Sequence, residues 1–217
     1  MDQYNVKLVS LTPNAEEHIV YCARVSSKKQ DTENADRLLS YLIRHKHWSP
    51  FEMANMCVEV ITSRMISPQI LRHRSLNFQE YSARYSAVDQ CIIYDVRLQD
   101  EKNRQNSIET NDESLKQWWN DTQLKVWDYT HKLYEEALSK NIAKELARGI
   151  LPGIAQTKLE INGTIRSWIH YLQVRTENGV QKEHKQIAEN IKIIFNQNFP
   201  NISKALGWIN HEKSKDN

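Results

Sequence analysis

Glycine is scarce in this sequence: only Gly149, Gly153, Gly163, Gly179 and Gly207 occur among 217 residues. Neither G-x-G-x-x-G nor G-x-x-x-x-G-K can be written from them, which excludes a dinucleotide-binding turn of the Rossmann type and a P-loop. A phosphate-bearing ligand would have to be held by side chains and helix N-termini. Cysteine is equally sparse. Cys22, Cys57 and Cys91 are widely spaced and include no C-x-x-C pair, so no zinc site, dithiol or other resident metal is expected, and all three are expected to be small buried residues. No apolar run approaches the roughly 20 residues of a membrane helix. The opening stretch MDQYNVKLVS lacks the charged-then-apolar pattern of a secretion signal. A cytoplasmic protein without a membrane partner is therefore expected. The net charge of +2 and the pI near 8.3 are too balanced to mark a nucleic-acid binder.

What is present describes a folding chain. Hydrophobic residues make up 40% and charged residues 26%, as in globular proteins, and the length suits one domain spanning residues 1–217. Thr12-Pro13 with Glu16 and Glu17 reads as a helix start, running to about Arg24. A second helix is expected from Asn34 to about Lys46, ended by His47-Trp48-Ser49-Pro50. Residues 55–61 and 155–162 alternate and predict two half-buried strands. Between them come a short helix around Pro68–Arg74, an ordered loop or broken helix over Ser75–Ser86, and an exposed connection over Gln99–Asp112. Helices are expected over Glu113–Ser139, Ala143–Gly149, from Thr164 onward, and over Gln181–Asn198. Few strands that do not alternate with the helices favour an α+β fold.

The chemistry-bearing segment lies between Arg64 and Tyr85, where Arg64, Arg72, Arg74 and Arg84 face a single acid, Glu80. Crowded cations of this kind require an anion. Ile70, Leu71, Phe78, Tyr81 and Tyr85 intersperse apolar and aromatic groups, as a pocket for a planar phosphorylated ligand would. A solvated basic face, or a module gripping single-stranded nucleic acid, is the competing reading.

At these residues, RHRSLNFQEYSARY, the sequence resembles the flavin-dependent thymidylate synthases, whose signature is Arg-His-Arg, seven residues, then Ser. ARVS at Ala23–Ser26, HWSPFE at His47–Glu52, ARGILP at Ala147–Pro152 and IRSWIHYLQVR at Ile165–Arg175 look like further family blocks in the expected order. The resemblance implies a helix-rich domain with a small, mostly antiparallel sheet, assembled as a homotetramer. It also implies FAD, NADPH as reductant, methylenetetrahydrofolate as carbon donor and dUMP as substrate, with sites shared between subunits and no nucleic acid bound.

Carried over position by position, the resemblance assigns FAD to His47, Ser49, Arg72, His73, Arg74, Glu80, Thr164, Ile165, Arg166 and His170. It assigns the nucleotide to Gln69, Ile70, Leu71, Arg72, Glu80, Tyr81, Ser82, Ala83, Arg84, Arg148 and Arg175. Arg175 matches the arginine thought to promote ionisation of the uracil ring. Met53 stands where histidine is common, and Thr164 and His170 where asparagine is frequent. Nine residues at about 100° each place Arg175 opposite Arg166 on their helix, so the two should face different ligands. Ser82 is expected to bind rather than attack, because no base is apparent to activate it.

Overall fold

The computed structural model describes residues 5–27 and 34–210, so the first four residues of the opening stretch lie outside it. The chain runs β1 (Val6–Leu11), α1 (Ala15–Ala23), α2 (Ala35–Arg44), β2 (Asn55–Ser63), α3 (Ser67–Ile70) and β3 (Asn77–Glu80). The hairpin β4 (Arg97–Gln99) and β5 (Ser107–Glu109) leads to α4 (Glu113–Ser139) and α5 (Lys144–Ala147), then β6 (Gln156–Thr164), α6 (Ile165–Arg175), α7 (Lys182–Asn198) and α8 (Pro200–Ala205). Short 3₁₀ turns cover Ser49–Glu52 and Arg148–Ile150. The fold is α+β. Its main sheet has the order β1-β2-β6-β3 with every pairing antiparallel.

Alternation explains why this sheet is covered on one side only. Met56, Val58 and Val60 on β2 and Leu159 and Ile161 on β6 are fully buried, in one cluster with Ile19, Leu39, Trp168, Ile187 and Phe195 from the helices. The other face stays wet, where Lys158 pairs with Glu59 at 3.2 Å. Trp168 joins helix to sheet by donating its indole N–H to the Met56 carbonyl at 2.8 Å. A smaller cluster of Ala83, Val88, Trp127 and Ala155 seats α4. Buried Gln123 of α4 bonds both ways with the Tyr94 main chain, at 3.0 and 2.8 Å.

Several expectations need correction. The first helix begins at Ala15, with Asn14 in a left-handed conformation before it. The Thr12 hydroxyl accepts from the Asn55 amide at 2.9 Å instead of capping. Asn77–Glu80, expected in a loop or broken helix, forms β3 because β6 offers it a free edge. The exposed connection contains the β4–β5 hairpin. The helix expected over Pro68–Arg74 ends at Ile70. Cys22, Cys57 and Cys91 are free and half-buried rather than buried.

Candidate active site

Two groups of predicted site residues lie at opposite ends of β3. The first surrounds His73, in the turn that joins α3 to β3. Arg175, in the last turn of α6, donates its Nε–H to His73 Nε2 at 2.6 Å. Because a guanidinium can only donate, that imidazole nitrogen must be an unprotonated acceptor. His73 is 9% exposed. Burial, then the Arg175 charge, then His170, push its pKa down to about 4. Arg175 is thus oriented by a neutral group that leaves its positive charge uncompensated. The His73 ring lies edge-on to Tyr171 at 4.7 Å, and the Tyr171 hydroxyl meets Nε2 of buried His184 at 3.1 Å. Burial and the neighbouring Arg175 and His73 hold His184 down at about 3, while burial raises the Tyr171 phenol.

Arg166 and His170 occupy a different face of α6, as the helical spacing requires. They help line a cavity of about 400 Å³ with Trp48, Glu52, Ser75 and Gln173. Glu52 organises its mouth, accepting from Arg166 at 2.9 Å and from the Thr164 hydroxyl at 2.8 Å. Thr164 caps α6 as expected, receiving the Ser167 amide at 3.2 Å. His170 lowers the His73 pKa through its charge, which links the cavity wall to the Arg175 anchor. Arg72 and Arg74 are exposed beside His73. His47 and Ser49 are also exposed, with His47 edge-on to Tyr41 at 6.0 Å.

The second group follows β3. Ser82 opens a turn whose carbonyl accepts the amides of Tyr85 and Ser86. Its hydroxyl accepts the Arg84 amide at 3.4 Å. Glu145 pairs with Arg84 at 3.2 Å, while its carbonyl takes the Nε–H of Arg148 at 3.4 Å. Ser82, Arg84 and Arg148 therefore converge on the α5 end of the fold.

Other predicted residues serve the scaffold. Glu80 Oε1 accepts from Ser67 at 2.8 Å and Thr157 at 3.0 Å and pairs with Arg64 at 3.3 Å. Arg64 also donates to the Tyr81 carbonyl at 2.9 Å. Two of the four clustered arginines, Arg64 and Arg84, thus have acidic partners, and the basic segment is not a continuous free strip. Ile70, Ala83 and Ile165 are buried, and the Ile165 amide donates to the Ala54 carbonyl at 2.9 Å. Leu71 is partly exposed. Gln69 donates to Gln181 at 2.7 Å.

Sequence reading missed Trp48, Glu52 and Glu145 as site neighbours, and Tyr171, Gln181 and His184 as supports. Trp48 and Glu52 lay inside the quoted block HWSPFE, and Tyr171 inside IRSWIHYLQVR. Glu145, Gln181 and His184 gave no local signal, since each meets the site through tertiary contacts.

Residues 7–201 match the family described as thymidylate synthase complementing protein. The chain is 53% identical over 190 residues to a flavin-dependent thymidylate synthase of Synechocystis, covering 88% of each protein. It is 48% identical over 215 residues to a probable flavin-dependent thymidylate synthase of Paramecium bursaria Chlorella virus 1, covering 94% of this chain and all of that one. Its fold is similar to the crystal structure of PolB, a UMP/dUMP methylase from Streptomyces cacaoi bound with 5-Br dUMP, with a TM-score of 0.84, 24% identity and 95% of each chain covered.

Proposed function

The chain belongs to the thymidylate synthase complementing protein family, and on that premise we propose that it is a flavin-dependent thymidylate synthase that converts dUMP to dTMP. The observation that carries the reading is the pair Arg175–His73, a guanidinium held at 2.6 Å by a neutral imidazole. A carboxylate in the same place would orient the arginine equally well but would cancel its charge. With a neutral anchor, the remaining guanidinium N–H groups can stabilise negative charge as it develops on the uracil ring, from a fixed and partly desolvated position.

The cavity beside α6 fits a planar phosphorylated cofactor. Trp48 offers an aromatic surface, His170 a polar edge, and the capped start of α6 a partly positive end, beside Arg166 held by Glu52. FAD would be held there by Arg166, His170 and Thr164, with His47, Ser49, Arg72, His73 and Arg74 at its margins; the Ile165 amide is taken by the Ala54 carbonyl. When reduced by NADPH, FAD supplies the hydride, and methylenetetrahydrofolate supplies the carbon. Glu52 sets the direction of Arg166. Arg84, Arg148 and Ser82 bind the nucleotide through its phosphate and sugar, and Gln69–Arg72 and the main chain of Glu80–Arg84 complete its site. Ser82 binds and does not attack, because its hydroxyl meets the Arg84 amide rather than a base.

The separation of the two arginine groups by β3 favours sites completed by a second subunit. Exposed apolar residues along α4 and α5 suit self-association: Trp118 is 58% exposed, Tyr129 68% and Leu146 69%. We take the assembly to be a homotetramer. The test is to supply the purified protein with FAD, NADPH, methylenetetrahydrofolate and dUMP. Bound flavin and dTMP formation are expected; a protein that neither retains FAD nor forms dTMP overturns the reading.

A further inference from the structure

The outer face of α2 is aromatic and cationic at once. Arg37, Tyr41, Arg44 and His45 recur at the spacing of one helical face, and all four are exposed, Tyr41 at 48%. The chain then leaves the helix through exposed Lys46 and His47, where the His47 amide closes on the Leu42 carbonyl at 2.8 Å. The Tyr41 ring lies 4.3 Å from His45 and 6.0 Å from His47, and the two imidazoles are 6.1 Å apart. Asp36, the acid of α2, lies about 100° around the helix from Arg37 and about 140° from Tyr41. Among the described residues, no ion pair involves Arg37, Arg44 or Lys46.

This surface adjoins the cofactor cavity. Trp48, next in the chain after His47, lines the cavity and is held edge-on by buried Phe51 at 5.6 Å. At about 400 Å³ the cavity is small for a ligand pocket, so a second ligand that meets a flavin there must keep most of its length outside. The Glu52 side of the cavity presents a carboxylate, whereas the Trp48 side leads to His47 and the α2 face.

We propose that the α2 face holds the tail of the carbon donor, with the aryl amide ring of methylenetetrahydrofolate on Tyr41 and His47 and its glutamate carboxylates at Arg44 and Arg37. Leading away from Trp48, His47 and Tyr41 come before Arg37, as the aryl ring precedes the outer glutamates. Arg37 and Arg44 are separated by about 10 Å along the helix. That spread suits carboxylates spaced along γ-linked glutamates. A compact phosphate is better served by converging main-chain amides, and the end of α2 offers carbonyls instead. The inference rests on the thymidylate synthase reading, which supplies both flavin and folate.

The experiment measures dTMP formation by the FAD-loaded enzyme with methylenetetrahydrofolate carrying one or three γ-linked glutamates. Wild type, the double variant Arg37→Gln/Arg44→Gln, and Tyr41→Leu are compared, with flavin content read on the same samples. All three positions are exposed, so the variants are expected to fold. An exposed charge pair changes binding by a factor of about two to five. The wild type is therefore expected to show a KM about fivefold lower for the triglutamate, an advantage that shrinks as salt rises. In the double variant the triglutamate KM should rise about five- to tenfold and the advantage should vanish, while turnover at saturating folate falls far less. Tyr41→Leu should raise the KM for both folates in parallel. Loss of flavin, or a raised KM for NADPH or dUMP in place of the folate effect, would assign the surface to another anion and overturn the proposal. Equal KM values for the two folates in an active wild type, or an unchanged folate KM in the double variant, would overturn it as well and leave the thymidylate synthase reading standing. A wild type that forms no dTMP with either folate sinks that reading and the proposal with it.

Discussion

Replacing His73 with glutamine should remove a specific part of the protein's acid sensitivity. His73 accepts from Arg175, and its folded pKa lies at about 4 against an ordinary value of 6.5. Above pH 6.5 both the folded and the unfolded chains carry a neutral His73, and the group has no effect on the pH dependence of stability. As the pH falls from 6.5 toward 4, the unfolded chain takes up a proton that the folded chain refuses, so stability is lost across that window. Between pH 7 and pH 5 the loss from this one histidine is about 2 kcal/mol. Glutamine has a carbonyl oxygen that can replace the accepting nitrogen and does not titrate. Urea unfolding followed by tryptophan fluorescence, at pH 7 and pH 5 with fixed protein concentration and flavin occupancy, measures the difference. The drop in His73→Gln should be smaller than in the wild type by about that 2 kcal/mol. Parallel drops in the two proteins would show that His73 titrates normally in the folded state and that Arg175 does not rest on a neutral imidazole.

Other perturbations probe the frame around the site. A Cβ at Gly163 would overlap the buried Leu76 side chain next to His73, so Gly163→Ala should cost about 1–3 kcal/mol in urea unfolding; a variant as stable as the wild type would contradict this packing. Thr164→Ala loses the cap on Ser167 and the bond to Glu52. It should cost about 1 kcal/mol and weaken FAD retention in gel filtration, whereas unchanged flavin content would separate the cap from the cofactor. Ser82→Ala should raise the dUMP concentration needed for half-maximal rate more than it lowers the maximal rate. Normal binding with no chemical step would restore Ser82 as a nucleophile.

Local patterns carried much of the fold. The helix over Glu113–Ser139 was legible to its ends because long helical periodicity persists between polar flanks. β2 and β6 were legible because their alternation survives folding as a one-sided burial pattern. β1 and β3 were not. β1 shifts register between Leu8 and Ser10, which breaks its period. β3, Asn-Phe-Gln-Glu, has little strand preference and is a strand only because β6 pairs with it. The site divides similarly. The site arginines were named by the resemblance and Thr164 by its place at a helix start, but the contact between Arg175 and His73 spans 102 positions, and no local pattern signals it. Glu80, the lone acid of the basic segment, proved to be engaged by Arg64, Ser67 and Thr157. The buried Arg97–Glu183 pair joins a polar hairpin to a helix start far along the chain.

Arg175→Ala tests the account most directly, with flavin absorbance and dTMP formation measured on the same sample. On the proposed reading Arg175 faces the nucleotide ring, and it is not among the residues lining the cavity of Arg166 and His170. The variant should therefore keep its FAD spectrum and lose most dTMP formation even at saturating dUMP. Wild-type rates of dTMP formation in Arg175→Ala would contradict the claim that this charge, held on a neutral histidine, drives the reaction.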